Sequence, residues 1–133
     1  MLTITQEILN QIVTHAKNEL PNEACGYLAG LDDKITHHYP LTNIDHSPEH
    51  FSFDPAEQFR TLKDARRLGL QIIAVYHSHP QSPARPSLED IKLAYDPNIR
   101  YVIISLAKEY PEIKSYFIKN GVIETEEIRI TEN

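Results

Sequence analysis

Two imidazoles, a hydroxyl and a carboxylate crowd one stretch of this chain: His77-Ser78-His79-Pro80, then Ser87-Leu88-Glu89-Asp90. Imidazole nitrogens and carboxylate oxygens are ordinary zinc ligands. Three protein ligands with a fourth position left to water mark a catalytic site rather than a structural one. Water held by zinc loses a proton near pH ~7, so the chemistry this set suggests is hydrolysis.

His77 and His79 are two apart. On a strand such residues share a face, with α-carbons roughly 6.5–7 Å apart by the ~3.3 Å rise, so their rings can converge on one ion. The pair would also serve as the hydrogen-bonded end of an ordinary strand. Asp90 lies three residues after Ser87, and Ser-x-x-Asp is close to a plain capping box. In that reading Ser87 starts a helix and Asp90 sits in its first turn, where the helix dipole keeps a carboxylate ionised. The readings are compatible, because a cap could aim Asp90 at a metal. The Ser87 hydroxyl could instead donate to an oxyanion, a role worth ~10²–10³ in rate. No Gly-x-Ser-x-Gly elbow surrounds it, which argues against a nucleophile. Hydrolysis also needs a base, and no His-Glu-x-x-His supplies one. Among several acids, Glu23 at the mouth of the apolar segment Ala24–Leu31 is the candidate, with a surface carboxylate in a turn as the plain alternative.

These residues need elements to hold them. Thr5 can cap a first helix over Gln6–Leu20, with Ile8, Ile12, Ala16 and Leu20 at helical spacing. Ala24–Leu31 reads as a strand, with Lys34–Ile44 as its weak partner. Asp54-Pro55-Ala56-Glu57 carries a capping aspartate, a first-turn proline and a glutamate placed for a capping box. That helix runs to about Leu68 and stops at Gly69. Leu70–Ser78 is nearly all apolar, as in a strand covered on both faces. Pro80–Pro86 is an irregular loop, Ser87 starts a third helix to about Tyr95, and Tyr101–Leu106 is another buried strand. Asn120-Gly121 predicts a tight hairpin between Ile113–Lys119 and Val122–Ile130.

The whole chain, 133 residues with 41% hydrophobic and 24% charged, suits one soluble α/β domain with a real core. A net charge of −6 argues against nucleic acid as the main partner. No window reaches the ~20 apolar residues of a membrane span, and the start lacks a signal peptide. The single cysteine, Cys25, excludes an internal disulfide and reads as a small buried residue. A cytoplasmic protein is expected. His15, His37, His38, His46 and His50 read as solvated or hydrogen-bonded. Lys63, Arg66 and Arg67 form a basic patch that could meet an acidic protein.

Taken together, Glu23, His77-Ser78-His79-Pro80, the gap 80–86 and Ser87-Leu88-Glu89-Asp90 resemble the JAMM (MPN-plus) metalloprotease signature, with every position filled. The resemblance implies a single domain over residues 1–133, with a mixed sheet flanked by helices and related to the cytidine deaminase fold. It implies one Zn²⁺ per chain on His77, His79 and Asp90, with Glu23 as acid/base and Ser87 at the oxyanion. The segments Glu23-Ala24-Cys25-Gly26-Tyr27-Leu28, Phe51-Ser52-Phe53-Asp54-Pro55 and Ser82–Ser87 are similar to the small bacterial members typified by the Mec peptidase. Those relatives remove an amino acid, typically cysteine, from the C-terminus of a ubiquitin-like sulfur-carrier protein. Other members cut isopeptide bonds to ubiquitin-like modifiers. Members that lost the metal ligands act as scaffolds, and here the ligand set is intact. A zinc deaminase is excluded by the absent Pro-Cys-x-x-Cys.

Overall fold

The computed structural model describes residues 1–132. A short strand, β1 (Leu2–Thr5), runs directly into helix α1 (Gln6–Asn18). Thr5 accepts the Ile8 N–H at 3.2 Å and so caps the helix. Ile8, Ile12 and Ala16 form its buried stripe, and it stops two residues before the expected Leu20. Strands β2 (Cys25–Leu31) and β3 (Lys34–Leu41) follow. Their link, Asp32-Asp33, has both φ angles positive, the geometry of a two-residue hairpin turn.

Helix α2 (Pro55–Arg67) is capped by Asp54, which accepts the Ala56 N–H at 2.9 Å. The capping-box role expected of Glu57 is not what the fold uses. Its carboxylate accepts from the Thr42 N–H at 2.7 Å and the Thr42 hydroxyl at 2.9 Å, tying α2 to the chain just beyond β3. Gly69, at φ +72°, turns the chain into β4 (Gln71–His79). Helix α3 is only Leu88–Lys92, shorter than the sequence suggested. The loop beyond it is pinned by Tyr101, whose hydroxyl accepts from the Asp96 N–H and donates to the Asp96 carbonyl. Pro97 disfavours helix at Asp96 as well.

Strands β5 (Arg100–Ser105), β6 (Glu112–Lys119), β7 (Val122–Glu126) and β8 (Ile128–Thr131) complete one mixed sheet in the order β7-β6-β5-β4-β2-β3-β1-β8. Two expectations change here. Leu2–Thr5, unassigned from sequence, is a strand. The single strand expected over Val122–Ile130 breaks at Glu127. Its first part pairs with β6, and its second part pairs in parallel with β1. Only Glu127 separates the strands at the two ends of the order, and α-carbons lie 3.8 Å apart along the chain, so the sheet curls until its ends meet. Arg100 fastens this seam. Its guanidinium donates to Glu126 at 3.0 and 2.9 Å and to Asp33 at 2.7 Å, and lies 4.7 Å above the Phe117 ring.

β4 sits near the middle of the sheet and presents different chemistry to each side. Tyr76 packs with Ile12, Leu28 and Val102 in the core shared with α1. Gly26 makes this possible, because a Cβ there would come within 2.5 Å of Tyr76 Cε2. The Tyr76 hydroxyl lies 2.6 Å from both His15 Nδ1 and His38 Nε2, so these histidines are hydrogen-bonded as anticipated. Burial holds the His38 pKa down at about 4. The alternate residues His77 and His79 emerge on the other side, toward Phe51 and Phe53. No helix among the described residues is long and apolar enough to cross a membrane.

Candidate metal centre

Antiparallel pairing sets Cys25 opposite His77. Two bonds carry this ladder past the end of β2: the Ser78 N–H donates to the Ala24 carbonyl at 3.0 Å, and the Ala24 N–H donates to Ser78 Oγ at 2.7 Å. Continuing that register puts Glu23 across from His79. Opposed residues of an antiparallel pair share a face, so Glu23, His77 and His79 project together.

Asp90 arrives from outside the sheet. Ser87 Oγ accepts the Asp90 N–H at 3.0 Å, and the Ser87 N–H donates back to Asp90 Oδ2 at 2.9 Å. The capping box is therefore real, and it aims the carboxylate: Asp90 Oδ2 lies 3.1 Å from both His77 Nε2 and His79 Nε2. The two Nε2 atoms are themselves 3.1 Å apart. His79 Nδ1 is 2.8 Å from the Pro83 carbonyl. A carbonyl only accepts, so that nitrogen carries a hydrogen and Nε2 is the one free to ligate.

Three candidate ligand atoms thus form a triangle with 3.1 Å sides. Tetrahedral zinc with ~2.0–2.1 Å bonds separates its ligand atoms by ~3.3 Å, so the donor set fits that ion in size and in kind. Burial disfavours the Asp90 anion, but the two imidazoles and the Ser87 N–H outweigh it and hold the carboxyl well below the usual range. Burial would lower the His79 pKa; the Asp90 carboxylate reverses this and raises it.

Glu23 is only 3% exposed, and its Oε1 has no hydrogen-bond partner among the described residues. An orphaned acceptor at such depth is uncommon and calls for a ligand or a role. Desolvation pushes its pKa up to about 8, opposed by His79 and reinforced by Asp90. Phe51 stacks on His77, with ring centroids 4.9 Å apart and planes at 27°. A cleft of about 440 Å³ leads away from His77 and Asp90 between Phe51, Tyr27, Leu93 and Tyr95.

All five residues singled out in sequence meet in this region. The roles of Phe51 as a stacking partner and of the Pro83 carbonyl were not foreseen, since neither residue type announces a site. Cys25 is fully buried, with its thiol pushed up to about 12 by desolvation, as suits a packing residue. His50 lies elsewhere, paired with Asp45 at 3.0 Å.

Residues 5–119 match the family of prokaryotic homologs of the JAB domain. The chain belongs to this family. By family it is a JAMM-type peptidase. It is 36% identical to a CysO-cysteine peptidase of Mycobacterium tuberculosis, over 99% of this chain and 92% of that protein. A probable TtuB-protein conjugate cleaving protease of Thermus thermophilus is 37% identical over 71% of this chain and 64% of its own length. A solved structure of protein DSY2949 from Desulfitobacterium hafniense superposes with a TM-score of 0.91 at 46% identity, covering 100% of this chain and 94% of that one. The fold is also that of a JAB1/MPN domain protein, AF2198 of Archaeoglobus fulgidus, at a TM-score of 0.68 and 23% identity, over 98% of this chain and 97% of that one.

Proposed function

We propose that this protein is a zinc-dependent peptidase that hydrolyses an amide at the C-terminus of a ubiquitin-like sulfur-carrier protein, releasing a terminal amino acid such as cysteine. The observation that carries the chemistry is the triangle of His77, His79 and Asp90 ligand atoms beside the orphaned Glu23 carboxyl. Likeness to a CysO-cysteine peptidase along nearly the whole chain supports the substrate class.

His77, His79 and Asp90 would hold one zinc ion. When bound, it supplies an acidified water and a Lewis acid for the substrate carbonyl. The remaining work falls to side chains. Glu23 Oε1 accepts a proton from the attacking water and passes it to the departing amine nitrogen, the two tasks a general base and acid share. Its burial favours the protonated form between those steps. Ser87 Oγ already accepts the Asp90 N–H, which leaves its own hydrogen to donate to a developing oxyanion. The cleft beside His77, lined by Phe51, Tyr27, Leu93 and Tyr95, offers a path for an extended tail.

The test is direct. The purified protein is incubated with a sulfur carrier extended by one C-terminal cysteine, with and without chelator, and the carrier mass is followed. Loss of the cysteine that stops with chelator and with Glu23→Gln is expected. An unchanged mass alongside cleavage of a lysine-linked conjugate would replace this reading with isopeptidase action, as the name of the Thermus relative suggests for that protein.

A further inference from the structure

Asn43 is a buried amide with no place in the chemistry above. It lies just past β3, on the loop that leads to α2, and it spends its side chain entirely on backbone. Its Nδ2 donates to the carbonyl of Glu23 at 3.0 Å and to that of His50 at 3.0 Å, with a longer approach to Ser47 at 3.5 Å. Its Oδ1 accepts the N–H of Asp45 at 3.0 Å and of Ser52 at 3.3 Å. The Glu23 N–H completes the knot by donating to the Ser47 carbonyl at 2.8 Å. Glu23 lies just beyond the end of β2, where β3 no longer pairs alongside it. Its backbone is held on one side by the loop Asn43–Phe53 rather than by a strand. The same loop delivers Phe51 to the face of His77.

From this geometry we infer that Asn43 is a positioning residue. It fixes the Glu23 backbone against the loop Asn43–Phe53, and so holds the Glu23 carboxyl in place beside the metal ligands. The inference rests on Glu23 acting as the base. The metal ligands themselves hang from β4 and α3, and none bonds to Asn43. Its removal should therefore leave the ligand triangle standing while Glu23 drifts.

The expected result for Asn43→Ala is a fall in kcat of about 10–100-fold, the scale of a misplacement near 1 Å. KM for the cysteine-extended carrier and zinc per chain should stay within about threefold on the same argument, since neither depends on the base. The decisive comparison is with Glu23→Gln, measured at high enzyme concentration in single turnovers. A residue that acts only through Glu23 costs nothing further once the carboxylate is gone, so the double variant should be no slower than Glu23→Gln alone. Ile4→Val, in the core beside α1, serves as the control: it should lower Tm and leave kcat unchanged. If Asn43→Ala does not fold, Asn43→Asp carries the test, since it keeps both accepted bonds and loses the donors to Glu23 and His50. Losses that multiply in the double variant, or zinc lost from Asn43→Ala, would overturn the inference. Wild-type turnover by Glu23→Gln would instead overturn the assignment of the base.

Discussion

Phe51 lies nearly flat against the imidazole of His77, at 4.9 Å between ring centroids. A ligand that must present one nitrogen to a metal gains from a ring that cannot tilt. Phe51→Ala should therefore loosen His77 without removing any ligand atom. Zinc affinity should fall toward the tenfold end of the range seen when groups that orient a ligand are lost, and turnover with it. Chelator competition on the wild type and the variant measures the first effect. Equal affinity in both would show that the stack only fills space.

Metal removal should be felt in stability. The three candidate ligand atoms lie 3.1 Å apart, and only the folded chain holds them there. At free zinc about 1,000 times its Kd the folded state gains about 4 kcal/mol. In a chain of this size that should raise Tm by roughly 10–20 °C. Calorimetry with chelator and with restored zinc measures this shift, and Asp90→Asn should abolish it. A Tm indifferent to zinc in an active enzyme would refute the site.

Glu23 makes a pH signature in the metal-free protein. Its pKa is raised by burial from 4.5 to about 8 in the folded state. Such a group favours the fold fully below the unfolded value and loses that contribution as pH rises through the folded one. The metal-free protein should thus weaken between about pH 5 and pH 8 on this account, relative to Glu23→Gln, which cannot ionise. The difference in denaturation midpoints across that window is the readout. Wild type gaining stability over Glu23→Gln as pH rises, or a constant difference, would mean that burial does not hold Glu23 protonated in the empty site.

Arg100 tests the seam. Glu126 is nearly buried beside it, and Asp33 reaches in from the β2–β3 turn. Arg100→Met would leave the Glu126 carboxylate without its main partner, a loss of about 3–5 kcal/mol for buried pairs. Urea titration gives the value. Arg100 lies at the start of β5, whereas the candidate ligands His77 and His79 lie toward the far end of β4 and Asp90 on α3, so zinc binding by the folded variant should persist.

Much of this site could be read from residue order because its parts are local. His77 and His79 need only a strand, and Ser87 and Asp90 need only a helix start. The caps at Thr5 and Asp54 and the hairpin at Asn120-Gly121 are local for the same reason. What escaped is what long-range pairing decides. Glu57 looks like half of a capping box until Thr42 arrives from another element. Leu2–Thr5 is too short to show a period and becomes a strand only between β3 and β8. Nothing near Glu127 shows that the chain abandons one edge of the sheet for the other. Asn43 looks like any loop asparagine, and its value depends on where Glu23 happens to lie.

The Glu127 link also governs where such a domain can grow. An insertion there that pushed β7 and β8 apart would break the pairing of one of them with its edge of the sheet. Enlargement must enter elsewhere, and the linkers that open onto the metal side, at residues 80–87 and 93–99, are free of that restriction. A scaffold built this way should diversify its choice of substrate around the rim of the site while its girth stays constant.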